Sequence, residues 1–395
     1  MKRTLGSQLA RALLCVTALG LLPYSGLSAA PDYAMRSDKA IRSMMLDIAA
    51  AGDHLVAVGE RGHILYSGDN GETWVQAQVP VSTMLTRVFF ISSELGWAVG
   101  HDGNVLVSRN GGVNWEIQRD GVGAQAQANE ERAGRAKVEL QQLQEEIKNA
   151  PEEEKPALEG TLEEAEHTLE KARELLDEPV FAPPLMDVWF ANEEQGWASG
   201  AYGTLLHTSN GGRHWDDWSH KVNNPEELHL NGLAGAPDGS LYLASEWGTV
   251  FRSRSNGESW QALETGYEGS FFGVLVNPVS GSVFAYGLRG TVYRSRDGGE
   301  SWEPLQSRAP ASLLGGLSTD NGTLIFVGQG GTVSISQDDG DTFTLLPQPS
   351  RAGIHGIAPT VDGRYMVTGD GGSRLLVTDT AAGSGPAPAN SEAAQ

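Results

Sequence analysis

Seven units of about forty residues, each holding three short β-rich runs and a Gly-rich corner, predict an all-β fold, the seven-bladed β-propeller. A corner motif repeated six times supports it, and a long insert with helical spacing predicts an antiparallel α-helical hairpin within the ring.

The units begin LDIAAAGDHLVAVGERGHILYS, TRVFFISSELGWAVGHDGNVLVS, MDVWFANEEQGWASGAYGTLLHT and NGLAGAPDGSLYLASEWGTVFRS, and continue FGVLVNPVSGSVFAYGLRGTVYRS, GGLSTDNGTLIFVGQGGTVSIS and HGIAPTVDGRYMVTGDGGSRLLVT. In each, an apolar opening run is followed by a second run ending near a glycine and by a third run, and a fourth starts at the tryptophan of the corner. Four antiparallel strands per period with glycine corners describe a propeller blade rather than a sandwich.

The corner reads S-x-D-x-G-x-x-W. Its positions are Ser67, Asp69, Gly71 and Trp74; Ser108, Asn110, Gly112 and Trp115; Asn210, Gly212 and Trp215 after Thr208; Gly257 and Trp260 after Ser253; Ser295, Asp297, Gly299 and Trp302; and Ser336, Asp338, Gly340 and Phe343. Short acceptor side chains can hold the backbone N–H groups of their own turn, glycine supplies a backbone angle that other residues resist, and the aromatic ring closes over the hairpin. Six copies with the same neighbours around a ring read as structural residues, with no catalytic duty. The seventh unit lacks the motif, so its outer strand is expected from Pro31–Ser43, which would close the ring and cover an open sheet edge.

Trp115 and Trp215 stand 100 residues apart where neighbouring corners are 41 to 45 apart. Within the excess, Asn129, Ala133, Ala136, Leu140, Leu143 and Ile147 step by threes and fours, as do Leu158, Leu162, Ala165, Leu169, Ala172 and Leu176. The intervening NAPEEEKP stops one helix and starts the next. Residues 124–178 carry sixteen acidic and seven basic side chains, a charge of −9. The hairpin is either a solvated decoration or a docking arm.

The first 30 residues read as a secretory leader, with Lys2, Arg3 and Arg11 ahead of an apolar run and Ser28 and Ala30 before Pro31. The expected organisation is then a leader 1–30, a closing strand and blades 1–2 in 31–123, the hairpin 124–178, blades 3–7 in 179–382 and an unstructured tail 383–395. Cys15 is the single cysteine and lies in the leader, so the exported chain relies on its core and not on disulfides. Losing the three leader cations takes the formal charge from −22 to −25, which argues against a nucleic-acid partner. No later segment has the ~20 apolar residues of a membrane helix, so direct membrane insertion is not expected.

Recognition is expected at the turns between second and third strands, where a Gly-x-x-Gly-like frame holds changing residues: Glu60 and Arg61, His101 and Asp102, Tyr202, Glu246 and Trp247, Arg289, and Asp370. Arg87, His229, Phe271 and His355 are expected just before the inner strands on the same face, as contacts or as core. His101, His229 and His355 have no local metal-ligand spacing, and no metal or cofactor is expected.

The repeat unit LxxVGxxGxVLxSxDGGxxW, with the leader, resembles the photosystem II stability and assembly factor family, seven-bladed propellers with bacterial neuraminidase-type repeats, over residues 46 to about 380 apart from the insert. The resemblance implies a non-enzymatic factor that holds a newly made membrane subunit during assembly, a basic patch here offered by Arg61, Arg87 and Arg289, and a thylakoid-lumen-like or periplasmic location. Glu60, Asp102, Glu246 and Asp370 share that rim, and relatives outside photosynthesis would serve another envelope complex. The alternative is a sialidase-like glycoside hydrolase with the same repeats, which needs three arginines around a carboxylate and a tyrosine nucleophile. No Phe-Arg-Ile-Pro stretch is present.

Overall fold

In blades 1 to 6 the third strand is too short to stand alone, and it is stable because it lies between two neighbours in an antiparallel meander. In blade 5 the four strands are Phe271–Val276, Val283–Gly287, Val292–Ser295 and Glu303–Pro304, hydrogen-bonded in chain order from the inside outward. Blades 1 to 6 repeat this order, with inner strands Met45–Ala51, Leu85–Phe90, Leu185–Phe190, Leu230–Gly235, Phe271–Val276 and Leu313–Ser318. The computed structural model describes residues 32–378; the expected leader and its Cys15, and the tail 383–395, lie outside them.

Second strands such as Trp97 within Gly96–Gly100 are buried along their whole length, because each lies between two blades. One face of a blade packs on the preceding blade and the other on the following one. Val56, Val58 and Ile64 of blade 1 thus meet Leu85, Val88 and Leu106 of blade 2.

Blade 7 departs from the expectation. It has three strands, Ile354–Pro359, Tyr365–Gly369 and Gly372–Leu375. The stretch expected to add a fourth forms no strand: its first residues lie beside blade 1, where Ala34 N donates to Val79 O at 3.0 Å and the Gln76 side chain donates to Met35 O and accepts from Ser37 N. Its helical turn Ala40–Arg42 packs on the third strand of blade 7, so closely that a Cβ on Gly372 would meet Ile41 O at 2.2 Å. Among the described residues the ring closes by packing. Met366 and Ala358 of blade 7 join Met45, Ile48, Leu55 and Leu65 of blade 1 in one buried cluster, and Val361 N donates to Asn70 Oδ1.

The insert folds as two helices, α1 (Gly121–Asn149) and α2 (Lys155–Asp177), with Asp120 capping α1 through Gly123 N and a proline in the first turn of α2. They run antiparallel, since Asn129 near the start of α1 donates to Leu175 O near the end of α2. Asn129, Ala133, Ala136, Ala165, Leu169 and Ala172 are buried along the seam. The seam then passes through Leu175, leaving Leu176 47% exposed; the last step is three residues where four was expected. No helix among the described residues is long and apolar enough to cross a membrane.

Candidate functional site

The corner motifs cross-link their own turns. Ser295 Oγ accepts from Gly299 N at 2.7 Å and donates to Asp297 Oδ1 at 2.8 Å, while Asp297 Oδ1 also accepts from Ser301 N and the Trp302 indole donates to Gly299 O. The same set recurs at Ser67, Asp69, Gly71 and Trp74 and, with asparagine, at Ser108, Asn110, Gly112 and Trp115. Hydrogen bonds from Ser301 and Ser295 hold the Asp297 carboxyl down to about 2. Gly299 sits at φ +97°, where a side chain would be strained. These groups are consumed by their turns, on the face of the ring where third strands end.

The opposite face carries the variable turns. Their backbone N–H groups reach the chain entering the inner strands: Glu60 N to Met44 O, His101 N to Met84 O, Ala201 N to Pro184 O and Leu288 N to Ser270 O, all within 3.1 Å. The middle residues Arg61, Asp102, Tyr202, Trp247 and Arg289 adopt φ between 52° and 59°, which turns their side chains out to solvent, and His101 is exposed beside Asp102. Blade 6 has Gly330 at this position. A tyrosine and a tryptophan in left-handed backbone are costly choices where glycine would serve folding better.

Glu60 and Glu246 are half-buried and act within the rim, accepting from Met44 N and His229 N respectively. Phe271 is fully buried in the blade 5 core and does not reach the rim. His355 is largely buried, with Nε2 3.2 Å from Asp370 Oδ1 and Nδ1 against Met45 O. His229 packs edge-on to Tyr202 at 5.1 Å, so the three histidines take separate local partners.

Arg87 lies in the central channel, with Nε 3.0 Å from Asp187 Oδ1 and 3.5 Å from Asp47 Oδ2. The two aspartates also accept from the next blade's inner strand, Asp47 from Val88 N and Asp187 from Leu233 N, so the triad pins blades 1 to 4 together. Burial pushes both carboxyls up, opposed by the neighbouring guanidinium. The corresponding position is Gly232, Gly273, Gly315 and Gly356 in blades 4 to 7. There adjacent strands approach so closely that a Cβ on Gly356 would meet Asp47 Cα at 2.9 Å. This column of Asp, Arg, Asp and four glycines stands in the aligned repeats and was missed as a site because each residue is unremarkable within its own unit.

The channel cavity, about 370 Å³, has Arg87 as its single arginine among the described lining residues. Tyr286 nearby is 1% exposed, and burial pushes its hydroxyl up to about 12. Sialidase-type chemistry, with three converging arginines and an activated tyrosine, has no counterpart in that constellation. Of the three arginines for which resemblance implies a basic patch, Arg87 is held between carboxylates, while Arg61 and Arg289 are exposed at the turns of blades 1 and 5.

The hairpin springs from the variable face. Gly121, the first residue of α1, packs on the blade 2 turn so tightly that a Cβ would meet Asp102 O at 2.1 Å, and Arg119 Nη1 donates to Gly103 O at 2.6 Å.

Comparison with known proteins bears on the same ring. The family described as Photosynthesis system II assembly factor YCF48 matches residues 167–303. A photosystem II assembly lipoprotein Ycf48 from Synechococcus sp. (strain CC9902) is 32% identical over 97 residues, a stretch covering 25% of this chain and 28% of that relative. Among solved structures, YCF48 bound to a D1 peptide is similar at TM-score 0.59 and 16% identity, covering 89% of this chain and 99% of that one. YCF48 from Cyanidioschyzon merolae is similar at 0.56 and 15%, covering 88% and 98%. The WD40 propeller of Doa1 reaches 0.56 at 11% identity, covering 89% and 97%, so at this level the likeness speaks for the fold. In its repeats, over residues 167–303 and in its fold, the chain is similar to propellers of the photosystem II assembly factor family, and the relative from Synechococcus is matched over little more than a quarter of its own length.

Proposed function

We propose that this chain is an exported, non-enzymatic binding module that holds a membrane-protein subunit of an envelope complex while the complex is assembled. The partner meets the variable rim and the hairpin together. The observation that carries this reading is the root of the hairpin: Gly121 and Arg119 lock it against the Asp102 turn, on the face that also presents Tyr202, Trp247 and Arg289. A fixed frame with changing tips and a projecting arm suits recognition of one extended partner surface. The similarity to assembly factors of the Ycf48 kind, one of them seen with a D1 peptide, supports an assembly role and a polypeptide ligand. The location follows from the leader expected in residues 1–30, and the periplasm is the compartment it implies.

The test is deletion of residues 124–178, closing the gap with a short Gly/Ser linker, followed by cross-linking in the native envelope and mass spectrometry. Partner recovery should fall at least tenfold while the ring keeps its β signature. Unchanged recovery removes the arm from the proposal, and turnover of chromogenic sialosides or other glycosides by the intact chain removes the non-enzymatic reading.

A further inference from the structure

The rim is uneven. Among the described residues four aromatic side chains are strongly exposed, and three of them, Phe181 at 62%, Tyr202 at 54% and Trp247 at 63%, lie in the sector of blades 3 and 4 beside the hairpin base. Two of them touch, and a chain of contacts leads from them to the residue before the third. Phe181 meets Tyr202 edge-on at 5.9 Å, Tyr202 meets His229 at 5.1 Å, and the His229 N–H is held by Glu246, the neighbour of Trp247.

Tyr202 separates two grooves. One, about 520 Å³, runs between the first turns of α1 and the outer strands of blade 3 and is lined by Glu131, Asp216 and Asp217. Its one arginine among the described lining residues, Arg119, is turned onto the Gly103 carbonyl. Asp216 Oδ1 lies 3.2 Å from His214 Nε2, and Asp217 Oδ1 accepts from Ser219, which leaves Glu131 and the second oxygen of each aspartate to face the groove. The other, about 360 Å³, is bounded by His220, Asn224 and Glu227. The α-helical arm above adds its charge of −9. Aromatic faces rimmed by carboxylates attract cations both by ring quadrupole and by charge, and the arrangement is disfavoured for an acidic ligand.

Resting on the reading of the chain as a polypeptide-binding module, we infer that this sector docks a basic, extended segment of the partner, whose Lys or Arg side chains seat on Tyr202 and Trp247 and point into the carboxylate-lined grooves. The same neighbourhood already holds one such contact, Lys221 Nζ 5.5 Å from the centre of the Trp218 ring.

The probe is a fluorescein-labelled twelve-residue peptide of Lys, Arg, Val and Gly, against the same peptide with Glu at every basic position, measured by fluorescence anisotropy with the chain lacking residues 1–30. Saturable binding is expected for the basic peptide alone. Tyr202→Ala and Trp247→Ala should each weaken it about tenfold, Tyr202→Phe should restore it, and Asp216→Asn with Asp217→Asn should weaken it about threefold and flatten its salt dependence. Arg109→Ala, at an exposed corner on the opposite face of the ring, should leave it unchanged. Should Tyr202→Ala fail to fold, Trp247→Gly serves, since blade 6 carries glycine at that position. Equal binding of the acidic peptide, no saturable binding of the basic one at millimolar concentration, or full binding by the aromatic variants overturns the inference; the last outcome means diffuse attraction to an acidic surface. Any of these outcomes alongside lost partner recovery on hairpin deletion would leave the assembly reading standing and discard only the basic segment.

Discussion

Replacing Arg87 by methionine tests whether the channel triad pins blades 1 to 4. Asp47 and Asp187 are 6% and 4% exposed, and each spends lone pairs on backbone N–H groups, Val88 at 3.0 Å and Leu233 at 2.8 Å, so neither can turn to water when the guanidinium goes. Removing one partner from a buried ion pair costs about 3–5 kcal/mol. The Arg87 side chain is 30% exposed to the channel, which screens the pair and favours the low end, ~3 kcal/mol. With an unfolding entropy of ~2 cal/mol/K per residue over roughly 350 residues, that lowers the melting temperature by about 4 °C. The pH dependence has a fixed sign. Burial raises both carboxyl pKa values, and a carboxyl raised in the folded state gives stability that is full below its unfolded pKa and lost as pH rises through the folded one. Losing Arg87 removes the influence that holds them down, so both rise further. The deficit should therefore be largest at neutral pH and shrink on acidification. Melting curves and urea midpoints at pH 7.5 and pH 5 measure it; a drop under about 1 °C, or a deficit that grows at pH 5, refutes the reasoning.

The corner carboxylates have the opposite sign. Asp69 and Asp297, held down to about 2 chiefly by the hydroxyls of Thr73 and Ser301, contribute stability above the unfolded value near ~3.9 that is lost as pH falls through about 2; melting temperature should decline across that window, less steeply in Asp297→Asn. Met366→Ala should cost about 2–5 kcal/mol, because Met366 is 1% exposed and its Cε fills the seam beside Gly71 where the ring closes; hydrogen exchange should accelerate in Met45–Ala51 and Ile354–Pro359 before other inner strands. Trp247→Gly should change folding stability by no more than ~1 kcal/mol, since relief of the left-handed backbone is offset by the added freedom of the unfolded chain; a larger loss by denaturant titration would show that Trp247 serves the fold.

Much of the architecture was legible because each blade is a local unit. The period of the tryptophans, the corner chemistry of Ser295, Asp297 and Gly299, and the insert between Trp115 and Trp215 depend on contacts within about forty residues, and those leave a pattern along the chain. The rim frame was legible for the same reason. Where a side chain faces in the assembled ring was not: Phe271 and Arg87 lie two positions apart in the aligned units, where plain alternation would put both on one face, yet an irregular register between those positions leaves one sealed in a blade and the other in the channel.

What the sequence alone determined is the number of blades, the identity of their corners and the place of the helical arm, all set by turn chemistry and hydrophobic period. What only the tertiary structure decided is how the circle closes and which residues meet across it. Blade 7 rests on blade 1 through Met366, while the expected closing stretch forms no strand and runs from Val79 and Gln76 of blade 1 to a helical turn against Gly372 of blade 7; and Asp47, Arg87 and Asp187, 40 and 100 residues apart, become neighbours. The physical reason is that burial at a ring axis is shared by all blades at once, so it is fixed by their packing and by no repeat taken singly.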